Sequence, residues 1–235
     1  MERIRNSELR KLNAELSEAG AEEILSAAWE RWGTQLGMTT AFGYSGVYLM
    51  HLLRRLGLQP EIYFIDTGLH FDATYRFAEQ VKRVWELPIR TIGADQEIRE
   101  YVYEQLGPRP WESNANLCCH YLKVAPLLHI LPEKDAWLSS LRRDQSPTRR
   151  NIDVFQLDSR GTLKVHPLAR YSAEDVWAEI RSAGIPYHPL HDEGYLSIGC
   201  EPCTRPIAVG EDERAGRWWW EDPENKECGL HERSS

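Results

Sequence analysis

Residues 38–57, MTTAFGYSGVYLMHLLRRLG, decide the fold. A short apolar run is followed by a turn with glycines at 43 and 46, then by apolar residues at helical spacing from about Ser45 to Gly57. This is a strand, a loop and a helix of the kind whose first-turn N–H groups cradle an anion. Residues 61–92, EIYFIDTGLHFDATYRFAEQVKRVWELPIRTI, repeat the grammar: strand at 61–65, turn at 66–68, helix at about 72–86, strand at 88–92. Strands alternating with helices at this spacing predict an α/β fold, a parallel sheet with helices on both faces. Ligands in such sheets bind at the carboxyl ends of the strands, which makes Gly43, Ser45, Ile65 and Asp66 candidate substrate contacts.

Outward from this centre the signals thin. Residues 7–36 read as two helices, with Ser7 as the expected N-cap of the first. AWLSS (136–140) and VFQL (154–157) read as further strands and 172–183 as a helix. After Gly184 the Pro, Gly and His content rises and periodicity is lost, as in a long ordered loop that leads to a mobile tail. The expected division is a helical lead-in over 1–36, a nucleotide-binding domain over 37–215 and a tail over 216–235.

A formal charge of −8 over 235 residues argues against nucleic acid or an anionic membrane as partner. No apolar run of membrane-spanning length and no apolar leader is visible, so a cytoplasmic protein is expected. Three of the nine tryptophans fall in GRWWWED (216–222), which suits core packing or an interface as well as it suits a role at a site; a homo-oligomer is left open.

Chemistry is carried by sulfur and guanidinium. CCHYLK (118–123) places Cys118 beside Cys119, and GCEPCTRP (199–206) spaces Cys200 and Cys203 as Cys-x-x-Cys. Adjacent cysteines serve a single tetrahedral zinc poorly, because their Cβ atoms diverge; a cubane cluster offers a separate iron to each thiolate. Buried cysteine pairs and a distorted zinc site remain alternatives from spacing alone. LRRDQSPTRR (141–150) gathers Arg142, Arg143, Arg149 and Arg150, and GEDERAGRWWW (210–220) places Arg214 and Arg217 three apart, on one face if helical. In an acidic chain such local charge suits a small polyanion, since guanidinium forks match phosphate and sulfate oxygens. The loop AFGYSG (41–46) departs from the SGGxDS loop of ATP pyrophosphatases: Ala41 stands for the first serine and no aspartate follows. Cleavage of Mg-ATP is therefore not expected.

Taken together, FIDTG (64–68), CCHYLKVAPL (118–127), WLSSLRRDQSPTR (137–149), KVHPLARYSAEDVW (164–177), GYLSIGCEPCTRP (194–206), GEDERAGRWWW and KECGLH (226–231) resemble the assimilatory adenylyl-sulfate reductases, relatives of the phosphoadenylyl-sulfate reductases. The resemblance runs in order from about residue 38 to residue 231. It implies an adenine nucleotide alpha hydrolase-like fold and thiol-dependent reduction of adenosine 5′-phosphosulfate to sulfite and AMP. It also implies a 4Fe-4S cluster on Cys118, Cys119, Cys200 and Cys203, with Lys123 between cluster and substrate. Arg214 and Arg217 match arginines near the sulfate, and Leu122 departs from the basic residue common before that lysine. Cys228, with His231 three positions on, matches the nucleophile; a thiolate attacks the phosphosulfate sulfur, and thioredoxin or glutaredoxin then releases sulfite. The four-cysteine set goes with the 5′-phosphosulfate rather than its 3′-phosphorylated form. A phosphoadenylyl-sulfate or dual-specificity reductase is the alternative, and an inactive nucleotide-binding or zinc-organised module the distant one.

Overall fold

The computed structural model describes residues 4–220. Its centre is a six-stranded sheet of β1 (Leu36–Thr40), β2 (Glu61–Ile65), β3 (Ile89–Ile92), β4 (Ala136–Leu138), β5 (Phe155–Leu157) and β6 (Leu163–Val165), in the order β3-β2-β1-β4-β6-β5. All neighbours pair in parallel except β5 and β6. These two are joined by a five-residue turn, too short for a parallel crossover. Asp158 builds that turn by accepting from the N–H groups of Arg160 (3.0 Å) and Thr162 (2.8 Å). The antiparallel edge and β6 itself go beyond the parallel pattern the sequence suggested.

Nine α-helices are seen among the described residues: α1 (Asn6–Leu16), α2 (Ala21–Trp32), α3 (Tyr44–Arg55), α4 (Asp72–Trp85), α5 (Gln96–Leu106), α6 (Pro110–Ser113), α7 (Ala115–Cys119), α8 (Ala125–Ile130) and α9 (Ala173–Ser182). The strands bury alternate residues to opposite sides. Met38, Ile62, Phe64, Ala136 and Leu138 face a core shared with α2, α3, α4 and α9. Tyr63, Ile65 and Trp137 face a second core with Leu127 and Ile130 of α8, Cys203 and Trp218. The expectation of helices on both faces of the sheet holds.

The lead-in helices belong to this body. Ile24, Leu25 and Ala28 of α2 are buried in the larger core. Asn13 of α1 pairs with both backbone groups of Phe155, donating Nδ2–H to its carbonyl (2.7 Å) and accepting its N–H (2.9 Å), which satisfies an edge strand that would otherwise be open. Ser7 does not cap α1: Glu8 and Leu9 already donate to the carbonyl of Arg5, so the helix begins before the serine hydroxyl can act.

Between α7 and α8 the helix widens into a π turn over His120–Val124, with the Ala125 N–H donated to His120 five residues back. Pro126 has no N–H to give the carbonyl of Leu122, which favours the wider turn there. The bulge carries Lys123, just after the cysteine pair.

Candidate functional site

A cleft partly open to solvent lies at the carboxyl ends of β1, β2 and β4. β1 and β4 are neighbours whose connections leave in opposite directions, the switch point at which open α/β sheets bind ligands. Gly43, in extended conformation, precedes α3, and no side chain caps that helix. Phe42 takes a left-handed conformation (φ 58°), with its N–H bonded to Thr40 Oγ1 at 3.0 Å. A Cβ on Gly43 would meet no atom within 4 Å, so the first turn of α3 borders room for an anion. Gly43, Ser45 and Ile65, the candidate substrate contacts of the sequence, all line the cleft.

Lys123, Arg149, Arg214 and Arg217 form its basic wall. Arg214 and Arg217 meet the cleft through a turn rather than the helix face first envisaged. That turn is closed by the Arg217 N–H bonded to the Arg214 carbonyl (3.0 Å) and is pinned by a β-bridge between Thr204 and Arg217. Arg217 is buried, with its guanidinium 4.4 Å from the centre of the Trp218 ring and its Nε donating to the Cys203 carbonyl at 3.4 Å. Gly199 permits this placement, because a Cβ there would overlap the guanidinium.

The run at 141–150 divides its arginines. Arg149 is the one lining the cleft, its Nη1 donating to Gln145 Oε1 at 2.6 Å. Arg142, expected to bind substrate, has 0% of its side chain exposed and stands behind the cleft, bonded to Asp144, Glu213 and Ser45. Arg143 points away, donating to the Ile152 carbonyl (3.0 Å), and Arg150 is exposed. Asp66 also leaves the set: its Oδ1 accepts from the Gly68 N–H (2.8 Å) and the Tyr75 hydroxyl (2.7 Å), which shapes the turn after β2. A carboxylate committed to its own turn offers an anion no contact. Arg99 braces the same turn, donating to the carbonyls of Ala94 (3.0 Å), Thr67 (2.8 Å) and Asp66 (2.9 Å).

Cys200 lines the edge of the cleft, and Cys118, Cys119 and Cys200 all lie close enough to Cys203 to act on its charge. Cys118 and Cys119 end α7, while Cys200 and Cys203 flank the short turn Glu201–Cys203. The latter turn is held by a Glu201 N–H to Leu69 carbonyl bond (2.7 Å) and by contact of Thr67 Oγ1 with Cys200 Sγ at 3.3 Å. All four thiols are unbridged. Burial pushes the Cys118 thiol up to about 12, with the charge of Cys200 adding to it. Burial also raises Cys203, and Cys200, Cys119 and Cys118 each push in the same direction. As thiolates the four would repel one another in an apolar wall, so the set suits a cationic centre. Among the described residues no three His, Cys, Asp or Glu side chains are grouped as a bound metal ion requires. The donor chemistry fits a group with several metal atoms, each taking one soft sulfur, better than it fits one zinc.

Sequence reading missed Tyr44, His70 and Glu213, which also line the cleft. His70 is buried, its Nε2 3.0 Å from the Ile65 carbonyl, and burial holds its pKa down. The available signal for Tyr44 and His70 was position, since both directly follow the carboxyl ends of strands. Glu213 carried none, being an acid in an anion site. Cys228 and His231 lie outside the described residues.

The sequence profile of the phosphoadenosine phosphosulfate reductase domain matches residues 35–206. An adenosine 5′-phosphosulfate reductase of Halalkalibacterium halodurans is 38% identical over 226 residues, covering 95% of this chain and 96% of that protein. Adenosine 5′-phosphosulfate reductase 1 of Bacillus subtilis is 41% identical over 215 residues, 91% of each chain. Among solved structures, a phosphoadenylyl-sulfate reductase from Candida auris in a phosphate complex superposes with a TM-score of 0.75 at 28% identity, covering 86% of this chain and 98% of that one. Yeast FAD synthetase superposes with a TM-score of 0.58 at 15% identity over 86% of this chain and 70% of its own, a likeness of fold alone.

Proposed function

The chain belongs to the phosphoadenosine phosphosulfate reductase domain family, and from that premise we propose that it is an oxidoreductase of sulfate assimilation that reduces adenosine 5′-phosphosulfate to sulfite and AMP. The observation that carries the reading is one cleft in which an uncapped helix N-terminus, Lys123, Arg149, Arg214 and Arg217 stand beside Cys200 and its three neighbouring cysteines. The first turn of α3 receives the nucleotide phosphate, and the basic wall takes the sulfate. The relatives named for the 5′-phosphosulfate favour that form of the substrate over its 3′-phosphorylated analogue.

Cys228 is the nucleophile in this reading. Trp218 lines the cleft and the described chain ends at Trp220. Eight further residues span at most about 28 Å, so Cys228 has covalent reach to the site. Its thiolate forms a bond to the sulfur of the phosphosulfate, the sulfur–oxygen bond to AMP breaks, and Cys228 is left S-sulfonated. A thiol of thioredoxin or glutaredoxin then attacks the Cys228 sulfur, expels sulfite and forms a mixed disulfide. The reductant's second thiol resolves it, takes up the oxidation and returns Cys228 to a thiol. Lys123 and the arginines stabilise the charge that develops on the leaving phosphate. Cys118, Cys119, Cys200 and Cys203 would hold a 4Fe-4S cluster, whose chemistry here is a structural tie and a fixed field beside the sulfate. Unbridged thiols suit a cytoplasmic setting.

Mass spectrometry tests the reading directly. Protein mixed with adenosine 5′-phosphosulfate and no reductant should carry sulfonate on the peptide that contains Cys228, and Cys228→Ser should abolish both adduct and sulfite release. A sulfonate on Cys200, or near-wild-type turnover by the serine variant, would overturn the assignment.

A further inference from the structure

A carboxylate is the unexpected group in a cleft made for an anion, and Glu213 supplies one. Its Oε2 accepts from Arg142 Nη2 at 2.6 Å and from the Tyr44 hydroxyl at 2.9 Å. Both partners are themselves fixed. Arg142 also bonds Ser45 in the first turn of α3 and Asp144 through Nε (2.9 Å), and its guanidinium lies 4.9 Å from the centre of the Tyr44 ring. Asp144 accepts the Ala173 N–H at the start of α9 (2.6 Å), and Tyr44 stacks on Trp177 of the same helix at 4.9 Å. Because the Arg142 side chain has no exposed surface, substrate cannot reach it; its charge is directed to Glu213 and Asp144.

Glu213 directly precedes Arg214. Its turn is closed by the Ala215 N–H to Asp212 carbonyl bond (2.8 Å) and by that from Arg217 to Arg214 (3.0 Å), which join residues 212–217 in one hydrogen-bonded turn. We propose that Glu213 is a positioning residue: clamped between Arg142 and Tyr44, it docks the turn bearing Arg214 and Arg217 on the amino end of α3 and so sets the sulfate-facing cations relative to the nucleotide site. Its negative charge is offset by Arg142, which it shares with Asp144. Arg142 belongs to the same device, as its anchor. This inference rests on the proposed reaction.

The test compares two ligands that share the nucleotide and differ in the sulfate. In the full-length, cluster-loaded enzyme with thioredoxin, Glu213→Ala should raise KM for adenosine 5′-phosphosulfate at least tenfold and leave the inhibition constant of AMP within twofold. Glu213→Gln keeps an oxygen that can accept from both donors and should return KM to within about threefold of wild type. Tyr44→Phe keeps the ring on Trp177 but removes the hydroxyl; it should raise KM about threefold in the same selective way, and stands in if the alanine variant does not fold. A KM that does not move, or KM and AMP constants that rise together, would overturn the clamp, the second result marking a merely structural role. A wild-type protein that releases no sulfite would sink the reading of the reaction and this inference with it, whereas an active wild type with an unchanged ratio sinks the clamp alone.

Discussion

Replacing Gly199 by Ala adds one methyl group where the Arg217 guanidinium already lies. Gly199 does not occupy the left-handed region, so alanine fits its backbone and the whole cost falls on Arg217. The guanidinium must leave its seat 4.4 Å from the Trp218 ring centre and its 3.4 Å bond to the Cys203 carbonyl. A buried cation–π contact is worth about 2 kcal/mol and so long a hydrogen bond about 0.5 kcal/mol. At roughly 2–4 °C per kcal/mol for a chain of this size, the melting temperature should fall by about 5–10 °C. An arginine moved off the sulfate also loses a charged hydrogen bond of about 1.5–3 kcal/mol, which at 1.4 kcal/mol per decade raises KM by roughly 10- to 150-fold. Thermal unfolding together with sulfite-release kinetics reads both numbers. A wild-type KM beside a lowered melting temperature would show that Arg217 does not bind the sulfate; if neither moved, the packing of Arg217 on Gly199 would be refuted.

Two further predictions concern the cysteines and acid. Alanine at any one of Cys118, Cys119, Cys200 or Cys203 should lower iron content and activity together, and full iron in one variant would remove that residue from the ligand set. Burial holds His166 down to about 3 and His188 and His191 to about 4. These groups stay neutral in the fold while the unfolded chain protonates them near 6.5, so their stabilising effect is complete above about pH 6.5 and is lost as the pH falls towards 4. Down to pH 4 the cost is on the order of 3 kcal/mol for each histidine, and for His166 it goes on growing towards pH 3. Urea midpoints should therefore drop steadily between pH 6.5 and 4, and a flat profile would show these histidines charged in the fold.

Local pattern carried the first half of the sheet. β2, α3 and α4 fall within a residue or two of their expected bounds because strand and helix periods change cleanly at Gly43 and Gly68. β6 and the antiparallel edge escaped, since Leu163–Val165 carries a lysine between two apolar residues and only the Asp158 turn marks the reversal. The site was legible by residue type and less so by placement. Arginines at 142, 143, 149 and 150 look alike in sequence, and only the fold decides that Arg142 is buried against Glu213, Arg149 lines the cleft, Arg143 turns to the Ile152 carbonyl and Arg150 is exposed. Glu213 could not be found, because its purpose depends on a buried arginine 71 residues distant.

The switch point that opens the cleft also has a kinetic meaning. β1 meets β2 by pairing Gly37 with Glu61, whereas it meets β4 by pairing Leu36 with Ala136, a loop about four times longer. Two doublings of loop length add about 1.2 kcal/mol to the entropy of closure. The two walls of the binding site are thus brought together by the most distant contact in the centre of the sheet, the kind that slows folding. A nucleotide spanning both walls bridges that seam, so occupancy of the cleft and the lifetime of the folded chain are coupled through the same pair of strands.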